Sequence, residues 1–283
     1  MYTTAMLELL DIPREAQLIL SFFFGVVIGS FLNVVIYRLH TNKSLSGRSH
    51  CLSCGHTLAW HDLLPLVSYL ILRGRCRYCK AQITARYFIV ELLTGLLFVS
   101  VVFIGATLWE VLFWWLIMSV LVVVLVYDLL HLIIPDRLVV LLLALALLWV
   151  GYMHLHPEPS WIDLFLDIGA AMSGAGVLAL LWLVSGGRWI GLGDAKLALP
   201  LGILLGAGSV FSLLVLSFWI GAVISVGILL IQYILNRGQH HLRFLSRPLT
   251  IKSEVPFAPF LIAAFAVVYW FEFDVLSVTA LWF

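Results

Sequence analysis

Apolar residues run along this chain in stretches of about 20, each long enough to cross roughly 30 Å of hydrocarbon as an α-helix. The pattern predicts about eight spans, over 18–39, 87–106, 109–127, 137–153, 162–184, 197–208, 209–235 and 257–271. The sixth is short and its reading depends on Gly202, Gly206 and Gly208. Composition agrees: 63% of the residues are hydrophobic and 11% charged, with a mean hydropathy of +1.10. That is far outside the range of a soluble domain. The fold class expected is an all-α polytopic membrane protein with a small hydrophilic insertion. Three regions follow: 1–39 with the first span, 40–86 as the insertion, and 87–283 as the membrane core.

Charge orients the spans. Threading them puts 40–86, 128–136, 185–196 and 236–256 on one side, which collects Lys and Arg almost without exception; of the 16 only Arg14 falls opposite. By the positive-inside rule that side is the cytoplasm. Glu8, Asp11, Glu15, Glu110, Glu158, Asp163, Asp167, Glu272 and Asp274 fall opposite. The segment before the first span is acidic where a secretory signal would be basic, so no cleaved signal peptide is expected. A net charge of +1 thus hides a steep asymmetry that supports a topology and gives no reason to expect nucleic acid. The basic stretch 236–256 reads as a juxtamembrane loop that attracts anionic lipid. Small-xxx-small spacings at Gly25/Gly29 and Gly202/Gly206 read as close helix packing.

All four cysteines lie in the insertion, as "CLSC" (Cys51, Cys54) and "CRYC" (Cys76, Cys79). Two such pairs make two knuckles whose four thiolates surround one tetrahedral Zn²⁺. A closed, structural site is expected, with metal binding supplying folding free energy that so small a domain lacks. Disulfides are the competing reading, disfavoured in a reducing cytoplasm. His50, His56 and His61 stand nearby as substitute ligands.

Carboxylates at a membrane edge are costly, which makes each one a functional candidate. Asp128 closes the third span in "VLVYDLLHLIIPD", and Asp194 precedes the sixth in "GLGDAKLALP". Two carboxylates brought together share a proton, and the pair then supplies a general base and a general acid. Gly191 and Gly193 let a backbone approach the acid closely. The alternative for Asp194 is a helix cap accepting backbone N–H groups near Ala195. Lys196 reads as a snorkelling cation or a neighbour of one acid, and Glu91 as a partner for Arg38 or Arg86. Asn33 reads as a hydrogen bond to a neighbouring helix.

"GLGD" with an earlier membrane aspartate resembles the intramembrane GxGD aspartyl proteases. "GSFLNVVIYRL" (29–39), the paired CxxC motifs, "DLLPLVSYLILRGRCRYCKAQITARYFIVELLTGLLF" (62–98) and "PFAPFLIAA" (256–264) are similar to a narrower group, the bacterial type IV prepilin peptidases. The resemblance implies a multi-pass enzyme of the bacterial inner membrane, with active site and zinc domain on the cytoplasmic side. It would remove the short basic leader of type IV prepilins or type II secretion pseudopilins. It implies Asp128 and Asp194 as the catalytic pair, with Asp136 of "IPD" the second choice for the first acid. It also implies N-methylation of the new amino terminus with S-adenosylmethionine, for which the residues show no nucleotide fingerprint. The partners implied are prepilins and membrane lipid. Two other classes use some of these features: a proton-coupled transporter with paired aspartates, and a membrane-anchored zinc adaptor.

Overall fold

The apolar runs fold into helices because a backbone in hydrocarbon must satisfy its own N–H and C=O groups. A computed structural model describes residues 13–41, 44, 46–103, 107–155, 160–237 and 255–275. Among them the helices are α1 (Arg14–Thr41), α2 (Val67–Ile71), α3 (Arg86–Phe103), α4 (Leu108–His131), α5 (Asp136–Leu155), α6 (Trp161–Ser185), α7 (Leu192–Leu205), α8 (Val210–Arg237) and α9 (Ala258–Phe271). The acidic segment before residue 13, Glu158, Glu254 and the basic stretch from 238 to 254 lie outside the described residues.

Six of the described helical segments are long and apolar enough to cross a membrane. The expected sixth and eighth spans are the shorter helices α7 and α9, of 14 residues each. At 1.5 Å per residue such a helix reaches about 21 Å, short of roughly 30 Å of hydrocarbon. The chain divides into two units, Met1–Val126 and Tyr127–Phe283.

In the first unit α1 lies directly on α3. An added Cβ at Gly25 would stand 2.8 Å from the Thr94 carbonyl oxygen, and one at Gly29 would stand 2.8 Å from Glu91 Cα. Backbone therefore meets backbone, as the small-xxx-small spacing predicts. Asn33 Nδ2 donates to the Tyr87 carbonyl at 3.1 Å across this seam. Replacing Gly29 with valine is expected to lower stability by about 1–3 kcal/mol, the usual cost of overpacking. Thermal unfolding in detergent, compared with Gly151→Val where a Cβ has open space, checks it.

The Glu91 pairing expected from sequence is corrected. Among the described residues Glu91 bridges neither Arg38 nor Arg86; its Oε2 accepts the Leu66 N–H at 2.8 Å. Leu66 has φ 58° and ψ −51°, and the Val67 N–H reaches back to the Pro65 carbonyl at 2.6 Å. This is a strained γ-turn for a residue with a side chain, held by a buried acid of α3. Arg38 instead donates to the carbonyls of Ser44, Ser46 and Gly47, shaping the start of the insertion.

In the second unit α7 is central and buried along most of its length, including Leu197, Ala198, Leu201 and Gly202. A Cβ at Gly202 would lie 3.0 Å from Ala171 Cβ, so α6 approaches as closely as the sequence spacing anticipates. Asp167 of α6 ties one end of this bundle, with His154 Nε2 at 2.6 Å and the Ala207 N–H at 2.7 Å.

Candidate active site and metal centre

Asp128 stands in the last turn of α4, after which the chain reverses: Leu132 takes φ 55° and its N–H bonds to the Asp128 carbonyl at 2.8 Å. Ile134 and Pro135 lead into α5. Asp194 is the third residue of α7 rather than its cap residue, which is Gly191. Helix α7 thus begins at Leu192, earlier than the Ala195 start expected for a capping aspartate. The Asp194 side chain still caps, because its Oδ2 accepts the Gly191 N–H at 3.1 Å.

Both acids are buried, Asp128 at 4% exposure and Asp194 at 7%. They lie close enough for the charge of Asp128 to act directly on Asp194. The backbone N–H of Ala258, at the start of α9, serves the Asp128 carboxyl. Asp128 Oδ2 has no hydrogen-bond partner among the described residues. Three chain segments therefore converge on one buried carboxyl pair. The role of Ala258 was not legible from the sequence, although Pro256 and Pro259 mark a helix start whose first N–H groups have no intrahelical acceptor.

The two glycines before the acid have steric reasons. A Cβ at Gly193 would press within 3.3 Å of Ile134, in the loop that follows Asp128. One at Gly191 would lie 3.2 Å from Asp194 Oδ2. Asp136 is exposed and takes Lys196 Nζ at 2.7 Å, so this lysine joins the surface of the two acid-bearing segments.

The four cysteine sulfurs lie within 4.8 Å of one another, and Cys51 and Cys79 are 3.9 Å apart. Tetrahedral zinc with Zn–S bonds near 2.3 Å sets sulfurs about 3.8 Å apart, whereas a disulfide needs about 2.05 Å. The residues fit the metal. Each knuckle closes alike: Cys51 N–H to the His56 carbonyl and Gly55 N–H to the Cys51 carbonyl in one, Cys76 N–H to the Ala81 carbonyl and Lys80 N–H to the Cys76 carbonyl in the other. Gly55 and Lys80 hold the same left-handed position, at φ 70° and 59°. His56 stacks on Tyr78 with ring centroids 3.7 Å apart, joining the knuckles; it is not part of the sulfur cluster.

The Cys51 thiol is drawn down to about 6, first by the backbone N–H of Cys54 and then by that of Ser53. At Cys79 the Ala81 N–H pulls downward, but burial and hydrogen bonding with the other three sulfurs outweigh it and push the thiol up to about 11. A metal cation among the four sulfurs would favour the thiolate form of each.

Asp62 braces the second knuckle, accepting Arg77 Nε at 2.6 Å, the Tyr78 hydroxyl at 2.9 Å and the Ala59 N–H at 3.2 Å. Burial alone would raise its carboxyl, but these donors outweigh it and hold it below the usual range. A depressed folded value stabilises above the unfolded pKa of about 3.9 and loses that contribution as pH falls through the folded value. Asp62→Ala is expected to cost about 1–2 kcal/mol, speeding zinc release to a chelator at pH 7 by roughly five- to thirtyfold. A colorimetric chelator assay reads it.

The Bacterial Peptidase A24 N-terminal domain model matches residues 23–104, and the Type IV leader peptidase family model matches 115–226. A prepilin leader peptidase/N-methyltransferase of Aeromonas hydrophila is 36% identical over 278 residues, covering 87% of each chain. The chain belongs to the type IV leader peptidase family. The protein of that name from Aeromonas salmonicida (strain A449) is 34% identical over 275 residues, again 87% of each chain. The one from Myxococcus xanthus (strain DK1622) is 36% identical over 220 residues, 74% of this chain and 62% of its own. No solved structure matches the chain. The N-terminal match contains the four cysteines and Glu91; the leader peptidase match contains Asp128, Asp136 and Asp194.

Proposed function

We propose that this protein is a membrane aspartyl endopeptidase that removes the short basic leader of type IV prepilins or pseudopilins at the cytoplasmic face of a bacterial inner membrane. The observation that carries the reading is the buried meeting of Asp128 and Asp194, from the end of α4 and the start of α7, in mutual electrostatic reach. The pair holds one proton. One carboxylate removes a proton from water as the water oxygen attacks the scissile carbonyl, and the other gives its proton to the departing amine. The C–N bond breaks, leaving a carboxylate on the leader and a free amine on the mature chain. The Gly191 N–H fixes one oxygen of Asp194, which leaves its other oxygen for water and substrate, and the Ala258 N–H lies near enough to the Asp128 carboxyl to favour its charged form.

The names of the relatives also support N-methylation of the new amine, with S-adenosylmethionine supplying the methyl group. Cys51, Cys54, Cys76 and Cys79 would hold a structural Zn²⁺ that fixes the fold of the insertion. The excess of basic residues on the predicted cytoplasmic side supports the orientation.

The test is mass spectrometry of a prepilin incubated with the purified protein in lipid vesicles, with and without S-adenosylmethionine. A product lacking the leader, and heavier by one methyl group only when the methyl donor is present, is expected. An intact prepilin in both samples overturns the peptidase reading and returns the protein to the transporter or adaptor classes.

A further inference from the structure

We infer that the insertion carries its own membrane-docking face, with an apolar ridge that enters the headgroup region and an arginine-lined groove that takes the phosphate of an anionic phospholipid. Trp60, Leu63, Leu64, Val67, Leu70 and Ile71 recur every three or four residues, and all are exposed, from 42% at Leu63 to 76% at Trp60. A hydrophilic insertion in water does not leave such a row uncovered without a surface to meet it. Directly after α2 come Arg73 and Arg75, which line a groove of about 490 Å³ with Tyr69, Gln82 and Thr84. Neither arginine pairs with a carboxylate among the described residues, whereas Arg77 is held by Asp62.

The depth of α2 selects lipid as the occupant. Its first turn is pinned to α3 by the Leu66 N–H to Glu91 bond, and Glu91 lies only five residues into a membrane-length helix that begins at Arg86. At 1.5 Å per residue that is roughly 8 Å along the span, so α2 starts within about 8 Å of the bilayer boundary. A short helix with an apolar row and adjacent arginines at that level has the chemistry of an interfacial, anion-seeking segment. This inference does not depend on the peptidase reading.

The experiment compares the whole protein in nanodiscs of phosphatidylcholine alone and of phosphatidylcholine with phosphatidylglycerol, reading amide hydrogen exchange over residues 67–75. Exchange is expected to slow in the anionic discs by about fivefold per arginine, which is what about 1 kcal/mol per basic residue at such a surface amounts to. High salt removes the protection. So does Arg73→Glu with Arg75→Glu, while bound metal stays unchanged; Arg73→Gln with Arg75→Gln replaces that pair if it loses metal. Leu70→Ser with Ile71→Ser raises exchange in both lipids. Equal exchange in the two kinds of disc overturns the inference, as does protection that survives in the arginine variants. Protection by inorganic phosphate in phosphatidylcholine discs would make the groove a free-ion site, and protection only with two copies per disc would assign the ridge to a second copy; either result overturns lipid docking.

Discussion

Asp128→Asn and Asp194→Asn are each expected to lower leader cleavage by at least about a thousandfold, within the range general acid–base groups supply. The double variant is expected to be no worse than either single one, because two acids that share a proton act as one unit. Asparagine separates chemistry from structure here. An amide oxygen at 194 still accepts the Gly191 N–H at the start of α7, and an amide at 128 keeps the size of the carboxyl it replaces. The asparagine variants should therefore unfold at nearly the wild-type temperature, whereas Asp194→Ala also loses the cap at about 1 kcal/mol. Initial rates on a purified prepilin, with thermal unfolding of the same samples, check both statements. Cleavage within tenfold of wild type in either asparagine variant would end the dyad mechanism.

The second large effect concerns the metal. Removing any one of Cys51, Cys54, Cys76 or Cys79 as serine is expected to strip most of the zinc at micromolar protein and to unfold 46–86. Structural zinc of this kind contributes on the order of 10 kcal/mol to its site, more than a domain this small gains from its core. Acid acts in the same direction, because protons compete for the thiolates: zinc is retained at neutral pH and released as pH falls below the range in which the sulfurs stay deprotonated. Metal analysis and limited proteolysis across pH 4–8 read the two together. Full zinc occupancy in Cys76→Ser, the most buried of the four, would remove the four-cysteine site.

The membrane class, the paired cysteine knuckles and both candidate acids are legible in the chain because each rests on local or compositional physics. Apolar run length reports a span, CxxC spacing places two thiolates on one turn, and a glycine-flanked acid in an apolar setting marks a cost that needs a reason. Two readings turn on packing. The runs at 197–208 and 257–271 read as spans, since burial against protein and burial in lipid favour the same residues; they fold as helices of 14 residues each, shorter than the six of membrane-crossing length. Glu91 looked like half of an ion pair because opposite charges stood nearby in sequence, whereas its partner is the Leu66 N–H, exposed by a strained turn that follows Pro65.

Local stretches of the chain carry the chemistry and its immediate frame: an acid at 128, an acid at 194, and four sulfurs in two matching loops. Which of these come together is a matter of packing. Asp136 is the second choice on paper for the first acid; the fold buries Asp128 beside Asp194 and leaves Asp136 on the surface with Lys196. That choice depends on where α4 ends, how Leu132 turns the chain, and how closely Gly193 lets α7 approach Ile134. These are properties of helices packed against one another, and no single stretch of residues contains them.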